Sequence, residues 1–168
     1  MPKTSARVKR YQQAELDDLF RRADAQLEKG EFRSAFRLFL TAAKAGDPAC
    51  QVNLGNLYLV GTGVRPNVDM AVDWYRRAYR KGYSPAANNI AVALRRQGKL
   101  KEALAWFERA ITKDDCDANL EVAKIYIEEN EPAKAIPYLK RMRGCRPESL
   151  TEGSREEGEH LLGQLENV

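Results

Sequence analysis

Residues 69–79 read DMAVDWYRRAY. Ala71 stands four residues before Tyr75, and a second alanine, Ala78, follows at helical spacing. Small residues of this kind let two crossing helices approach closely, and a large side chain one turn further along fills the adjacent groove. The stretch therefore predicts an amphipathic helix that packs along one face against a partner helix.

The same pattern of an alanine followed four residues later by a large residue occurs in three other segments. They are EFRSAFRLFLTAA (31–43), KLKEALAWFERAI (99–111) and PAKAIPYLKRM (132–142). The leading alanines are 36, 32 and 32 residues apart along the chain. A period of 20–50 residues is typical of stacked helical repeats. Each segment follows a second stretch with a small residue upstream of a large one, so the repeat is a pair of helices that cannot bury its apolar surface alone.

Cap residues divide the chain into nine predicted helices. Glycines stand where helices should stop, and a polar residue precedes proline at three helix starts. Pro137 predicts a short or kinked eighth helix. Ser149 followed by Glu152 predicts a capping box that starts the last helix. The predicted ranges are 11–29, 31–45, 49–60, 69–81, 85–97, 99–113, 117–129, 132–143 and 149–165.

These elements predict an all-α fold. We expect a right-handed α-α superhelix (solenoid) of about four antiparallel helix pairs, closed by a C-terminal capping helix. Residues 1–10 are predicted to be a basic, flexible N-terminus, residues 11–147 the repeat domain, and residues 148–168 an acidic capping helix. Three glycines in that last helix predict that it is the least stable element. Within the repeat domain the predicted hairpins are about 11–45, 49–81, 85–113 and 117–143.

The charge of the chain is unevenly distributed. With 168 residues, 43% hydrophobic and 31% charged, the composition is typical of one soluble globular domain. Residues 1–113 hold 21 basic and 11 acidic residues, a net charge of +10, whereas residues 114–168 hold 7 and 13, a net charge of −6. This asymmetry fits a nucleic-acid partner, an acidic protein partner, or two solvated faces of opposite sign.

Targeting signals and cysteines set the expected location. The basic first residues lead into YQQAELDD, which is not apolar, so we expect no signal peptide, and no run is long and apolar enough to span a membrane. Cys50, Cys116 and Cys145 are far apart, odd in number and without CxxC spacing. This pattern argues against both a disulfide framework and a zinc site. We interpret the cysteines as reduced thiols of a cytoplasmic protein.

Residues suited to catalysis do not come together in this sequence. The only histidine, His160, lies among glutamates of the last predicted helix, which leaves a serine or cysteine triad without a base. Most carboxylates fall at helix ends, where caps and solvated faces are their usual roles. Gly61 and Gly63 are not followed by GK[ST], which argues against a nucleotide-binding loop. We expect no enzyme activity, no cofactor and no metal.

The second repeat contains an ordered series of residues: Leu54-Gly55, Tyr58, Gly61-Thr62-Gly63-Val64, Asp69, Ala71, Trp74-Tyr75, Ala78 and Gly82. With this series it resembles, most clearly over residues 53–86, a Sel-one-like repeat, a variant of the tetratricopeptide repeat. The third and fourth repeats resemble plain tetratricopeptide repeats, with tight turns RQGKLKEA and EENEPAKA. The resemblance implies an adaptor-type protein that holds a partner on the concave face of its superhelix, and it favours a bacterial source.

The same resemblance implies that the first helix of each pair lines the concave groove. Asparagines there offer a donor and an acceptor to the backbone of an extended peptide. Arg95 and Arg96 can hold an acidic side chain bidentately. The alternative interpretation is that these are ordinary solvated helix residues. The predicted partner-binding residues are Arg21, Asp24, Asn53, Asn56, Asn88, Asn89, Arg95, Arg96 and Lys124.

The leading hypothesis is a protein-binding module with an adaptor, chaperone-like or toxin-immunity role, acting as a monomer or homodimer away from membranes. Its expected partner is a protein or peptide, with an acidic one among the candidates. A self-assembling scaffold, in which basic and acidic parts of two copies meet, is one alternative. Nucleic-acid binding is another, but the chain lacks a platform of stacking aromatics and its acidic end would repel phosphate. That alternative rests on Arg76, Arg77, Arg80, Lys81, Arg95, Arg96, Lys99 and Lys101.

Overall fold

A computed structural model of the chain describes residues 11–166. These residues form nine α-helices and one short 3-10 helix, and no strand occurs among them. Each α-helix begins and ends within three residues of its predicted range. The α-helices are α1 (Gln13–Glu28), α2 (Phe32–Ala45), α3 (Pro48–Val60), α4 (Val68–Arg80), α5 (Ala86–Arg96), α6 (Leu100–Ile111), α7 (Asp117–Glu128), α8 (Pro132–Arg143) and α9 (Glu152–Glu166).

The predicted N-terminal segment, residues 1–10, and the last two residues lie outside the described part of the chain. Within residues 11–166, none of the helices combines the length and the apolar character that crossing a membrane requires.

The helices belong to two compact units. Unit 1 ends at Tyr83 and unit 2 begins at Ser84. In unit 1, α2 packs against α1 and α3, and α3 packs against α4. In unit 2, α5 packs against α6, α6 against α7 and α7 against α8, while α9 contacts α8 and, less extensively, α7. Each unit is therefore built from neighbouring antiparallel helices, as expected for helical repeats.

The alanines that define the repeat are buried at helix contacts. All four have no exposed surface, and the large residues four positions later are buried with them. Removing a large side chain of this kind from water stabilises the fold by about 1.5–3 kcal/mol. The repeat positions therefore carry packing. The four pairs are Ala35 with Phe39, Ala71 with Tyr75, Ala103 with Phe107, and Ala135 with Leu139.

Gly55 of α3 lets Tyr75 of α4 pack directly on its backbone. A Cβ added at Gly55 would lie 2.7 Å from Tyr75 Cδ1 and closer still to Cε1, which is nearer than non-bonded carbons can come. At its other end the Tyr75 hydroxyl donates a hydrogen bond of 2.7 Å to Asn56 Oδ1. The position of the ring therefore depends on the absence of a side chain at Gly55 and on the hydrogen bond of the Tyr75 hydroxyl.

Side-chain caps fix several helix starts. Asp47 accepts the Cys50 N–H at 2.6 Å, with Pro48 as the first residue of α3. Asn67 accepts the Met70 N–H at 3.0 Å at the start of α4. Before α3, Gly46 ends α2 with φ +105°, a left-handed conformation that favours glycine. The sharp connection between α2 and α3 therefore follows from local sequence.

The start of the last helix differs from the prediction. The predicted capping box of Ser149 and Glu152 is wrong, because Ser149 ends a 3-10 turn and its hydroxyl donates to the Arg146 carbonyl at 2.7 Å. Thr151 takes the capping role, since its hydroxyl accepts the Ser154 N–H at 3.1 Å. The sequence offers two hydroxyl residues close together, and the 3-10 turn decides which one caps α9.

Pro137 lies inside α8, which runs through it for 12 residues, so the helix is not shortened. Proline removes its own N–H and its ring crowds the carbonyl four residues earlier, which here is that of Ala133 in the first turn. One missing bond near the start of the helix leaves the later turns intact.

Cys116 and Cys145 form a disulfide, so the prediction of reduced thiols is wrong for these two residues. Cys116 immediately precedes α7, and Cys145 follows the end of α8 at Arg143. The antiparallel packing of α7 and α8 brings these positions together, with 6.3 Å between the Cα atoms. Cys50 is a buried free thiol, and its burial raises its pKa.

Gly158 of α9 contributes packing as well as flexibility. A Cβ there would lie 2.9 Å from Met142 Sδ and closer to Cε, and Met142 is fully buried. The two other glycines of α9, Gly153 and Gly163, would meet nothing within 4 Å. Of the three glycines expected to weaken α9, one is therefore required for its contact with α8. The low stability of α9 stays a prediction.

Candidate functional site

The nine predicted partner-binding residues all lie on first helices of the pairs. Four are in unit 1, on α1 and α3, and five are in unit 2, on α5 and α7. The two groups differ in how the fold uses their polar atoms.

In unit 1, three of the four predicted residues already have polar partners within the folded chain. Asn53 Nδ2 donates to the Ala49 carbonyl at 3.1 Å, and Asn56 Oδ1 accepts a hydrogen bond from the Tyr75 hydroxyl. Arg21 pairs with Asp18 of the same helix at 3.3 Å. Asp24 is exposed. Among the residues that the structure describes, no hydrogen bond or ion pair joins the two α1 residues to the two asparagines.

In unit 2 the predicted residue Arg95 is the centre of a network that joins two helices. Its Nη1 lies 2.7 Å from Glu121 Oε2, and its Nη2 lies 2.5 Å from Glu128 Oε1. Lys124 Nζ lies 3.5 Å from Glu121 Oε1 and 2.7 Å from Glu157 Oε2. We call these five residues the charge ladder. It crosses from α5 through α7 to α9.

Helical spacing explains how α7 supplies the middle of the charge ladder. Glu121, Lys124 and Glu128 are three, four and seven residues apart, so they share one face of the helix. The guanidinium of Arg95 is a planar fork with donors for two carboxylates. The side chains of Arg95 and Glu121 are only 22% and 27% exposed, so salt screens the attraction between their charges less than it would at a fully exposed surface. The network is therefore an ordered feature of this face.

Two buried oxygen atoms on the helices of the charge ladder have no hydrogen-bond partner. They are Asn88 Oδ1 on α5 and Asp117 Oδ1 on α7. Asn88 lies two turns before Arg95 on the same face of α5, and Asp117 lies one turn before Glu121 on α7. Arg95 pairs with Glu121 and Glu128 of α7, and Asn88 and Asp117 each lie nearer the start of the same two helices. We call the charge ladder together with Asn88 and Asp117 the ladder face.

Buried polar atoms almost always have a partner, and one without costs about 1–3 kcal/mol. Asn88 Oδ1 is an acceptor, as is Asp117 Oδ1, so N–H or O–H groups of a bound molecule would satisfy both. A further carboxylate, that of Asp115, precedes the start of α7. Burial raises the pKa of Asp115, with the charge of Asp117 as a smaller cause, while its carboxylate accepts the Ala118 N–H at 3.3 Å.

The remaining predicted residues of unit 2 lie outside the charge ladder. Asn89 Nδ2 donates a long bond of 3.4 Å to the Pro85 carbonyl of its own helix start. Arg96 is exposed and has no ion pair among the described residues. Both lie on α5 and can contribute at the edge of the ladder face.

Four members of the ladder face are absent from the predicted partner-binding residues: Glu121, Glu128, Asp117 and Glu157. Glu157 lies on α9, which was expected only to cap the stack, and nothing in its local sequence indicates Lys124 as its partner. Asp117 reads as a helix-start residue. Within residues 11–166, no three histidine, cysteine or acidic side chains converge as a metal site would require. The arrangement is suited to binding polar groups.

Family models match much of the chain. Sel1 repeats match residues 27–47 and 48–83, and a tetratricopeptide repeat matches residues 86–113. The Sel1 matches fall in unit 1 and the tetratricopeptide match in unit 2. The resemblance expected from the sequence is confirmed.

Among curated proteins, the uncharacterized protein NMB1327 of Neisseria meningitidis serogroup B is 32% identical over 135 residues. That match covers 80% of this chain and 28% of the relative, so the chain spans less than a third of the relative's length.

Two solved structures have a similar fold. The Sel1 repeat protein from Oxalobacter formigenes is 24% identical, with a TM-score of 0.62 over 77% of this chain and 58% of that chain. The protective antigen c5321 of uropathogenic Escherichia coli, which displays a Sel1-like repeat (SLR) fold, is 20% identical. Its TM-score is 0.65 over 77% of this chain and 30% of that chain. These structures confirm the predicted fold class, a solenoid of helix pairs. The chain is a tetratricopeptide-like helical repeat protein that contains Sel1 repeats.

Proposed function

We propose that the chain binds a partner protein or peptide through the ladder face of unit 2. Repeats of the Sel1 and tetratricopeptide type generally mediate interactions between proteins, and their fold is typically a scaffold without catalytic activity. The observation that carries the proposal is the pair of buried, unpaired acceptors, Asn88 Oδ1 and Asp117 Oδ1, on the two helices that also carry Arg95 and its glutamate partners.

An extended peptide fits these acceptors because its backbone presents N–H groups at regular intervals. Two such groups would donate to Asn88 Oδ1 and Asp117 Oδ1, which gain the partners that the folded chain alone does not provide. Arg96 at the edge of the face is available for an acidic side chain of the partner. The charge ladder already holds its side chains in place, so less conformational entropy is lost when the partner binds.

The biological role within this class is a finer proposal. An adaptor, a chaperone-like carrier and an immunity protein that occludes a toxin all use one surface to hold one partner. The proposed site is the same in each case.

The disulfide changes the proposed location. The cytoplasmic expectation rested in part on reduced cysteines, and Cys116 is paired with Cys145. Disulfides form and persist in oxidising compartments and are rare in the cytosol. We therefore propose that the binding role is exercised in an oxidising compartment. Thiol titration of the protein taken from its native source checks this: two protected cysteines support it, and three titratable thiols after unfolding contradict it.

The binding proposal is tested by selecting peptides for the full chain from a random displayed library and measuring their dissociation constants by calorimetry. Asn88→Ala and Asp117→Ala each remove one acceptor. Each is expected to weaken binding by about 5- to 30-fold, as a lost hydrogen bond of about 1–2 kcal/mol implies. Lys101→Ala is the matched control, since Lys101 is an exposed residue of α6 away from this face. Unchanged affinity in both acceptor variants would contradict the proposed site.

A further inference from the structure

Unit 1 has a second polar feature, at the corner where α2 ends, α3 begins and α4 ends. A surface depression of about 420 Å³ lies there. Four of its lining residues are cations and none is a carboxylate. We call it the basic corner. It is lined by residues 43–46, Gln51, Arg77, Arg80 and Lys81, with Lys44 as the fourth cation.

Two of the four cations have structural roles. Lys81 Nζ donates to the Gly46 carbonyl at 2.8 Å, which satisfies an acceptor at the end of α2. The guanidinium of Arg77 lies over the Trp74 ring, 4.4 Å from its centre. Lys44 and Arg80 are different. Both are exposed, and neither has a hydrogen bond or an ion pair with any residue between 11 and 166.

Gln51 supplies an independent indication that a ligand binds here. Its side chain lines the basic corner, yet the residue is only 3% exposed. Its Nε2 donates to the Ala43 carbonyl at 3.0 Å, which fixes the orientation of the amide. Its Oε1 is therefore the free end of the amide, and it has no hydrogen-bond partner. A buried acceptor of this kind requires an N–H or O–H donor.

We propose that the basic corner binds an acidic segment of another protein. Carboxylates of aspartate or glutamate side chains pair with Lys44 and Arg80, and a backbone N–H of the same segment donates to Gln51 Oε1. Lys44 and Arg80 are exposed side chains with many rotamers, so they can reorient around the bound segment and admit its backbone to Gln51.

A peptide fits these groups better than the backbone of DNA does. The sugar-phosphate backbone of DNA offers acceptors to the cations but no N–H to Gln51. Trp74, the aromatic residue beside the corner, is 5% exposed and covered by Arg77, so it provides no open face for a base to stack on. A carboxylate-bearing peptide provides both the negative charge and the donor.

The test measures binding of a fluorescent peptide rich in aspartate and glutamate to the full chain, by anisotropy. The matched peptide has asparagine and glutamine in place of the acidic residues. The double variant Lys44→Glu, Arg80→Glu reverses the two unpaired charges. Lys29→Glu, Arg65→Glu is its control, because it changes the net charge equally at exposed positions outside the corner. Gln51→Met keeps the side-chain volume and removes the acceptor, and circular dichroism checks that it folds.

The acidic peptide is expected to bind, and its amide counterpart is not. The corner double variant is expected to weaken binding by about tenfold or more, and the control by less than about threefold, because exposed charges beyond a Debye length are largely screened. Gln51→Met weakens binding while preserving its salt dependence.

Three results would overturn the proposal. The first is equal binding of the two peptides, and the second is equal loss in the corner and control variants. The third is that the corner variant abolishes binding of a generic oligonucleotide, or dissociates a dimer seen by light scattering, while leaving peptide binding intact. These variants lie in unit 1 and leave the ladder face unchanged, so this proposal and the proposed function fail separately.

Discussion

Replacing Gly55 with alanine tests whether the close approach of α3 and α4 holds unit 1 together. The added methyl group would overlap the Tyr75 ring, which is fully buried. The ring is not the free end of a flexible side chain, because its hydroxyl is bound to Asn56. Either the ring or the helix must move.

Opposing contributions set the size of the effect. Alanine in a helix interior is favoured over glycine by about 1 kcal/mol. Overpacking a buried site costs about 1–3 kcal/mol. Displacing Tyr75 also removes its hydrogen bond, which contributes about 1 kcal/mol. Gly55→Ala is therefore expected to lower the free energy of unfolding by about 2 kcal/mol, and Tm by about 4–8 °C for a chain of this length.

Thermal and urea unfolding followed by far-UV circular dichroism measure this change. Gly163→Ala is the control, since a methyl group there meets nothing within 4 Å and is expected to leave stability unchanged or raised by up to about 1 kcal/mol. In a Tyr75→Leu background the smaller side chain leaves room, so the penalty of Gly55→Ala should disappear. A Gly55→Ala protein as stable as the original, or the same penalty with and without the tyrosine, would refute the packing argument.

Three further predictions concern the cysteines and the charge ladder. Reducing the Cys116–Cys145 disulfide, whose cysteines are 29 residues apart, is expected to lower the free energy of unfolding by about 3 kcal/mol. Urea midpoints that agree with and without reductant would contradict this. Arg95→Ala leaves Glu128 without a cation and Glu121 with Lys124 alone, and it is expected to cost about 1–3 kcal/mol, whereas Arg96→Ala, which breaks no ion pair, should cost less than about 0.5 kcal/mol. Equal urea midpoints for the two variants would show that the network adds nothing. Cys50, whose pKa burial raises, should stay protonated and resist iodoacetamide at neutral pH until the chain unfolds. Mass spectrometry of the native protein checks this, and rapid modification would contradict the burial.

Much of the fold could be predicted because its signals are local. An alanine followed by a large residue one turn later marks a helix that packs closely, whatever its partner, and repetition of that pattern from Ala35 to Ala135 fixes the pairs. Gly46 and Asp47 mark one helix end and the next helix start within adjacent residues. Such features need only a few neighbouring residues to act.

The candidate site could be predicted in part. The sequence indicated the helices that carry it and named Arg95 and Lys124, because polar residues at helical spacing identify a face. It did not show that these cations are already paired with glutamates. Nor did it show that Gln51 is a buried amide with a free oxygen, since burial depends on which helices surround a residue.

The amino-acid sequence by itself determined the helices, their pairing and the repeat family, because close-packing positions and caps act over one or two turns. Only the tertiary structure decided that Cys116 forms a disulfide with Cys145, that Lys124 pairs with Glu157, and that Met142 packs against Gly158. Those contacts join residues 16 to 33 positions apart, on or next to different helices. Their partners depend on how the helices stack, and no local pattern carries that information.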